Sequence, residues 1–88
     1  MLFHKKKLSK ENERFKALLD EVLADPAVGR IPALGNLLRM AAKRIAMNEP
    51  VAGVAANLTV NIRANYPQSQ LPKSVKDLQA ELTKYENK

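Results

Sequence analysis

The chain has no cysteine and no tryptophan, and its 88 residues include only two phenylalanines, two tyrosines and one histidine. Without cysteine there is no disulfide framework, thiolate zinc site or thiol nucleophile, which excludes the disulfide-stapled class of small secreted domains. His4 stands alone in a basic run with no carboxylate held beside it, so it is a poor candidate for a general base or a metal ligand. We therefore expect no cofactor, no metal and no enzymatic activity.

Glycine and long apolar runs are also scarce. The three glycines, at positions 29, 35 and 53, form neither a phosphate-binding loop nor a dinucleotide fingerprint. No window approaches the roughly 20 apolar residues of a membrane-spanning helix. At the start of the chain three apolar residues, Met1, Leu2 and Phe3, precede the basic run at positions 5–7, the reverse of the order in a signal peptide. These absences predict a cytoplasmic protein that is at most peripherally attached to a membrane.

The apolar residues that are present fall into four periodic stretches separated by the five prolines. Ser9 is a suitable N-cap for the first stretch, and Pro32 suits the first turn of the second. In the third stretch, residues 58–62 have some strand propensity. Its apolar side chains nevertheless advance by four, three and four positions, which favours a helix.

These stretches predict an all-α protein, an antiparallel up-down four-helix bundle. We expect a single domain over residues 9–88, preceded by a mobile basic arm over residues 1–8. The connections at 26–30 and 66–70 are predicted as loops, and Ser74 with Asp77 resembles a capping box at the start of the last helix. The predicted helices span about 9–25, 32–47, 50–65 and 73–86.

The net charge of +6 is concentrated at the start of the chain, because the first sixteen positions hold six basic and two acidic residues. Such an arm suits contact with anionic lipid headgroups, and a merely solubilising segment is an alternative. A small basic nucleic-acid-binding helical protein is another, although nucleic acid is the less favoured partner because aromatic side chains are few. The residues assigned to the membrane-surface arm are Lys5, Lys6, Lys7 and Lys10.

Three asparagines recur every four residues beside the apolar stripe of the third predicted helix. Asn57, Asn61 and Asn65 therefore lie on one side of that helix. They are either the polar flank of a helix or a recognition strip for a protein partner.

The order of these segments resembles the immunity proteins of pediocin-like (class IIa) bacteriocins, the enterocin A immunity family. The resemblance covers about residues 11–85. It rests on a first helix ending at Asp25-Pro26, on the doublets Leu37-Leu38 and Ala41-Ala42, on the break Asn48-Glu49-Pro50, and on a third helix with Leu58 and Ile62. The most specific element is Leu71-Pro72-Lys73-Ser74-Val75-Lys76-Asp77-Leu78.

This resemblance implies a cytosolic binding protein without catalysis. It would associate, at the inner membrane face, with the membrane subunits of the mannose phosphotransferase permease once a bacteriocin has docked there, and so hold the pore shut. The C-terminal half of such proteins is thought to decide which bacteriocin is countered, here the helix from about Ser74 and the short remainder 86–88. The partner-binding candidates on the last helix are Lys73, Lys76, Gln79, Thr83 and Lys84, with the three asparagines as a second surface.

Overall fold

A computed structural model describes residues 8–86 of the protein. This part of the chain is all-helical and contains no strand, which confirms the predicted class. The predicted arm over residues 1–8 lies outside the described residues, except for Leu8, which is half-buried. A one-turn 3-10 helix, Gln68–Gln70, precedes the last α-helix. The α-helices are α1 (Lys10–Leu23), α2 (Pro26–Gly29), α3 (Pro32–Ala46), α4 (Val51–Asn65) and α5 (Lys73–Glu86).

Two of the predicted helix starts have the expected chemistry. The Ser9 hydroxyl accepts a hydrogen bond from the Asn12 backbone N–H at 3.0 Å, which satisfies one of the free donors of the first turn of α1. Pro32 occupies the first turn of α3, where its missing N–H costs nothing. The third stretch is helical throughout, so its local strand propensity is overridden by packing.

Two local predictions were wrong. Residues 26–30 are not simply a loop, because Asp25 caps a single helical turn by accepting from the Ala27 N–H at 3.0 Å. The capping box at Ser74 does not form either. Helix α5 already begins at Lys73, and the Ser74 hydroxyl instead donates to Asp25 at 2.5 Å, a residue 49 positions earlier.

The four long helices contact one another in the ring order α1, α3, α4, α5, and α5 returns to α1. The short helix α2 packs against α1 and α3 and adds Val28, which is fully buried, to the core. The core consists mainly of the predicted apolar stripes. The largest of its fully buried side chains are Phe15, Leu19, Leu34, Leu38, Ile45, Ile62 and Leu82.

Asn12 is a buried polar side chain that joins the start of α1 to the connection between α3 and α4. It is only 4% exposed. Its Nδ2 donates to the carbonyl oxygens of Ile45 at 3.2 Å and Glu49 at 2.8 Å, and its Oδ1 accepts from the Ser9 hydroxyl at 2.7 Å. The connection turns sharply at Asn48, whose φ of 63° is a left-handed conformation that asparagine tolerates.

Candidate functional site

Four of the five residues predicted as partner contacts on α5 are exposed. Lys73, Lys76, Thr83 and Lys84 are exposed, and they follow one another at helical spacing. The Lys84 ammonium lies 3.0 Å from Glu81, and the Thr83 hydroxyl donates to the backbone carbonyl of Gln79. This face is therefore predominantly basic and accessible to a partner.

Gln79 does not belong to that exposed face. It is half-buried, and its Nε2 is enclosed without a hydrogen-bond partner among the described residues. The residue sits between the apolar positions Val75 and Leu82 along the helix, both of which are fully buried. Gln79 is therefore less exposed than predicted, because it lies beside these buried positions at the edge of the core; its contact with a partner stays a prediction.

The three asparagines of α4 form a connected row. Asn61 donates to the Asn57 side-chain oxygen at 3.1 Å, and Asn65 donates to the backbone carbonyl of Asn61 at 2.7 Å. Asn57 and Asn61 line a small cleft of about 90 Å³ between α3 and α4, together with Met40 and Arg44. The asparagine row thus borders α3, and it is a separate surface from the exposed lysines of α5.

The outer face of α3 combines basic and apolar side chains that the sequence analysis did not assign to a site. Met40 and Met47 are each 66% exposed, and they lie two helical turns apart with the exposed Lys43 between them. Arg39 is exposed beside Met40 and donates to Asn36 at 2.7 Å. Neither Arg39 nor Lys43 forms an ion pair within residues 8–86. We call these four residues, Arg39, Met40, Lys43 and Met47, the α3 face.

Of the four lysines predicted for the membrane-surface arm, one lies within the described residues. Lys10 is exposed in the first turn of α1, whereas Lys5, Lys6 and Lys7 lie outside the described residues. Within residues 8–86, no helix is long and apolar enough to cross a membrane. The same part of the chain holds no group of histidine and acidic side chains arranged to bind a metal ion.

A ring contact joins α1 to α5, and a hydrogen bond joins the segment just after α1 to the start of α5. The Ser74 hydroxyl donates to Asp25, and the rings of Phe15 and Tyr85 meet edge to face with centroids 5.0 Å apart. The bond from Ser74, and then the one from the Ala27 N–H, hold the pKa of Asp25 below its ordinary value. Asp25 therefore carries a negative charge at neutral pH.

Between these two contacts the surfaces of α1 and α5 leave an open groove of about 270 Å³. Leu18, Val22 and Leu78 form its apolar part, and its other lining residues are Glu21, Ser74, Asp77 and Glu81. Sequence reasoning missed this groove. The helical repeat places the three acidic residues on polar faces, but it does not reveal that two such faces meet over an apolar gap.

The chain matches a known protein family. The model of the bacteriocin immunity protein family matches residues 9–87, nearly the whole chain, which confirms the resemblance found from the sequence. No curated protein sequence and no solved structure matches the chain significantly.

Proposed function

Since this chain belongs to the bacteriocin immunity protein family, we propose that it protects a bacteriocin-producing cell by binding the membrane subunits of the mannose phosphotransferase permease. It acts in the cytoplasm at the inner membrane face, where it engages the permease after a bacteriocin has docked and prevents the pore from acting. The family match over residues 9–87 is the observation that carries this proposal.

The protein acts by binding rather than by catalysis, with its helices in an antiparallel up-down bundle. An all-helical chain whose long helices surround one apolar core offers rigid external faces to a partner. The exposed lysines Lys73, Lys76 and Lys84 of α5 supply a basic face for contact with the permease and its bacteriocin. The row of Asn57, Asn61 and Asn65 is a second polar contact surface.

Peripheral contact with anionic lipid keeps the protein near its partner. The basic residues Lys5, Lys6, Lys7 and Lys10 contribute about 1 kcal/mol each when they lie near an anionic surface. The α3 face adds to this contact, because it pairs two basic side chains with two exposed methionines that can enter the headgroup region.

The decisive experiment is survival. The gene is expressed in a sensitive lactic acid bacterium, and killing is measured against a panel of class IIa bacteriocins. We expect protection against at least one peptide of the panel and none against an unrelated pore-forming peptide. Unchanged killing across a broad panel, with the protein expressed and folded, would contradict the proposal.

A charge-reversal pair then tests the α5 surface. The double variant Lys73→Glu/Lys76→Glu should reduce protection, because both side chains are exposed and their reversal repels an acidic partner surface. The matched control, Arg14→Glu/Arg30→Glu, makes the same change in net charge at exposed positions outside α5. Equal protection by the two variants would remove α5 as the contact surface.

A further inference from the structure

We infer that the groove between α1 and α5 binds a cationic peptide segment of the partner, with one large apolar side chain of that segment seated on Leu18, Val22 and Leu78. This inference deepens the proposed function and rests on it only for the source of the segment, which belongs to the assembly that the protein engages at the membrane. None of the lysines of α5 and none of the three asparagines lines the groove, although Lys84 pairs with Glu81 at its edge.

The size of the groove limits what can occupy it. Small-molecule pockets measure about 300–1,000 Å³, whereas this groove measures about 270 Å³ and is open to solvent. It is therefore at the lower limit of the range for small-molecule pockets and has room for one large side chain. Large apolar anchors that fill such depressions supply much of the affinity in protein interfaces.

The charge of the groove favours basic residues on either side of the apolar anchor in the bound segment. Glu21 and Asp77 are exposed, and no ion pair joins either of them to a basic side chain within residues 8–86. Glu81 is paired only with Lys84, whose side chain is 71% exposed and can be exchanged for an incoming cation. No basic residue is among those that line the groove. Lysine or arginine residues flanking the anchor would find three carboxylates along the groove, one on α1 and two on α5.

The groove is also held open before any ligand arrives. The contacts Asp25–Ser74 and Phe15–Tyr85 lie at either end of the groove, and on α5 they are eleven residues apart, about 16 Å at 1.5 Å per residue. Every lining residue lies within this span. These contacts fix the distance between the two sides of the groove, so less conformational entropy is lost when a ligand binds.

The absence of tryptophan from the chain gives the test a clean signal. The probe is the synthetic pentapeptide Lys-Lys-Trp-Lys-Lys, titrated with the purified full-length protein. Burial of its indole should shift its emission to shorter wavelength, and the peptide Lys-Lys-Ala-Lys-Lys should compete poorly. The acidic peptide Glu-Glu-Trp-Glu-Glu should give no shift.

The location is tested by the double variant Glu21→Gln/Asp77→Asn, which should raise the Kd of the probe roughly three- to tenfold, because two charge pairs at a partly exposed rim are lost. The matched control Glu13→Gln/Asp20→Asn removes two exposed carboxylates from α1 outside the groove and should leave the Kd unchanged. Helical circular dichroism confirms that both variants fold. If both double variants bind the probe equally weakly, the effect comes from net charge alone and the inference is overturned.

Two further experiments test whether something else occupies the groove. If neutralising the chain's own basic run with Lys5→Gln/Lys6→Gln/Lys7→Gln tightens probe binding, the groove belongs to that run and the inference fails. If the wild-type protein is a dimer that Glu21→Gln/Asp77→Asn dissociates, a second copy occupies the groove and the inference likewise fails. Survival of cells expressing the wild-type protein tests the proposed function separately, so either result can fail without the other.

Discussion

The α1/α5 side of the protein and the α3/α4 side carry different charge patterns. Helices α1 and α5 hold seven of the nine acidic residues of the chain together with six basic residues, whereas α3 and α4 hold four basic residues and no acidic one. The α1/α5 side has a recessed apolar groove with a carboxylate rim, and α3 presents protruding methionines beside Arg39 and Lys43. The net charge of +6 therefore describes neither side, and a partner must be inferred for each side from its own residues.

The largest expected effect comes from opening one end of the groove. Phe15 is fully buried and contacts the ring of Tyr85, so Phe15→Ala should lower the free energy of unfolding by about 3–5 kcal/mol. Chemical denaturation measures this loss. The exposed Met40→Ala on the other side should change stability by less than about 0.5 kcal/mol. A comparable loss of stability in both variants would show that Phe15 contributes no more to the fold than the exposed Met40.

The link between the two sides is tested at Asn12. Its amide joins α1 to the end of α3 and to Glu49, and Asn12→Ala leaves buried carbonyl groups with fewer donors. We expect a loss of about 1–3 kcal/mol in the free energy of unfolding. Asn57→Ala, at an exposed position of α4, is the control and should be nearly neutral. Similar stability of the two variants would mean that the bonds of Asn12 add little to the fold.

The α3 face is tested with vesicles. Lys43→Gln should weaken binding to vesicles containing phosphatidylglycerol about fivefold, because each basic residue near an anionic surface contributes about 1 kcal/mol. Co-sedimentation measures this, with neutral phosphatidylcholine vesicles as the reference. Arg14→Gln, at an exposed position of α1, is the charge-matched control. If both variants bind equally well, lipid contact does not depend on the α3 face.

The smallest effect concerns Asp25 and pH. Because its pKa is lower in the folded protein than the ordinary 3.8, its charge contributes stability that is complete above that value and is lost as the pH falls through the folded value. Removing the main cause with Ser74→Ala should make stability less dependent on pH in this acidic range. Denaturation midpoints at about pH 3 and about pH 6 measure the difference. Ser69→Ala, at an exposed position, should retain the wild-type dependence.

The helices and most of the core could be predicted from the sequence, because the apolar repeat is a local signal. Helix α5 has the predicted bounds, and the ends of the other three long helices differ by no more than two residues. Val28 was missed because a single turn is too short to show a repeat. The hydrogen bond between Ser74 and Asp25 could not be predicted either, because the sequence around each residue does not indicate a partner 49 positions away.

The candidate site was less accessible to sequence reasoning. Exposed lysines on α5 follow from the helical repeat, and so does the row of asparagines on α4. The burial of Gln79 does not, because its position beside the apolar stripe is compatible with either the core edge or the surface. The groove depends on how two helices are spaced across a contact, and spacing of this kind arises only after the chain has folded.

The hydrogen bonds of Asn12 also bear on the order in which the chain assembles. All of its side-chain partners lie within residues 9–49, at sequence separations of up to 37. The first half of the protein can therefore close around Asn12 before α4 and α5 are made. During synthesis, when the N-terminal part of a chain emerges first, α1 and α3 would already be paired and would offer the later helices an apolar surface on which to settle.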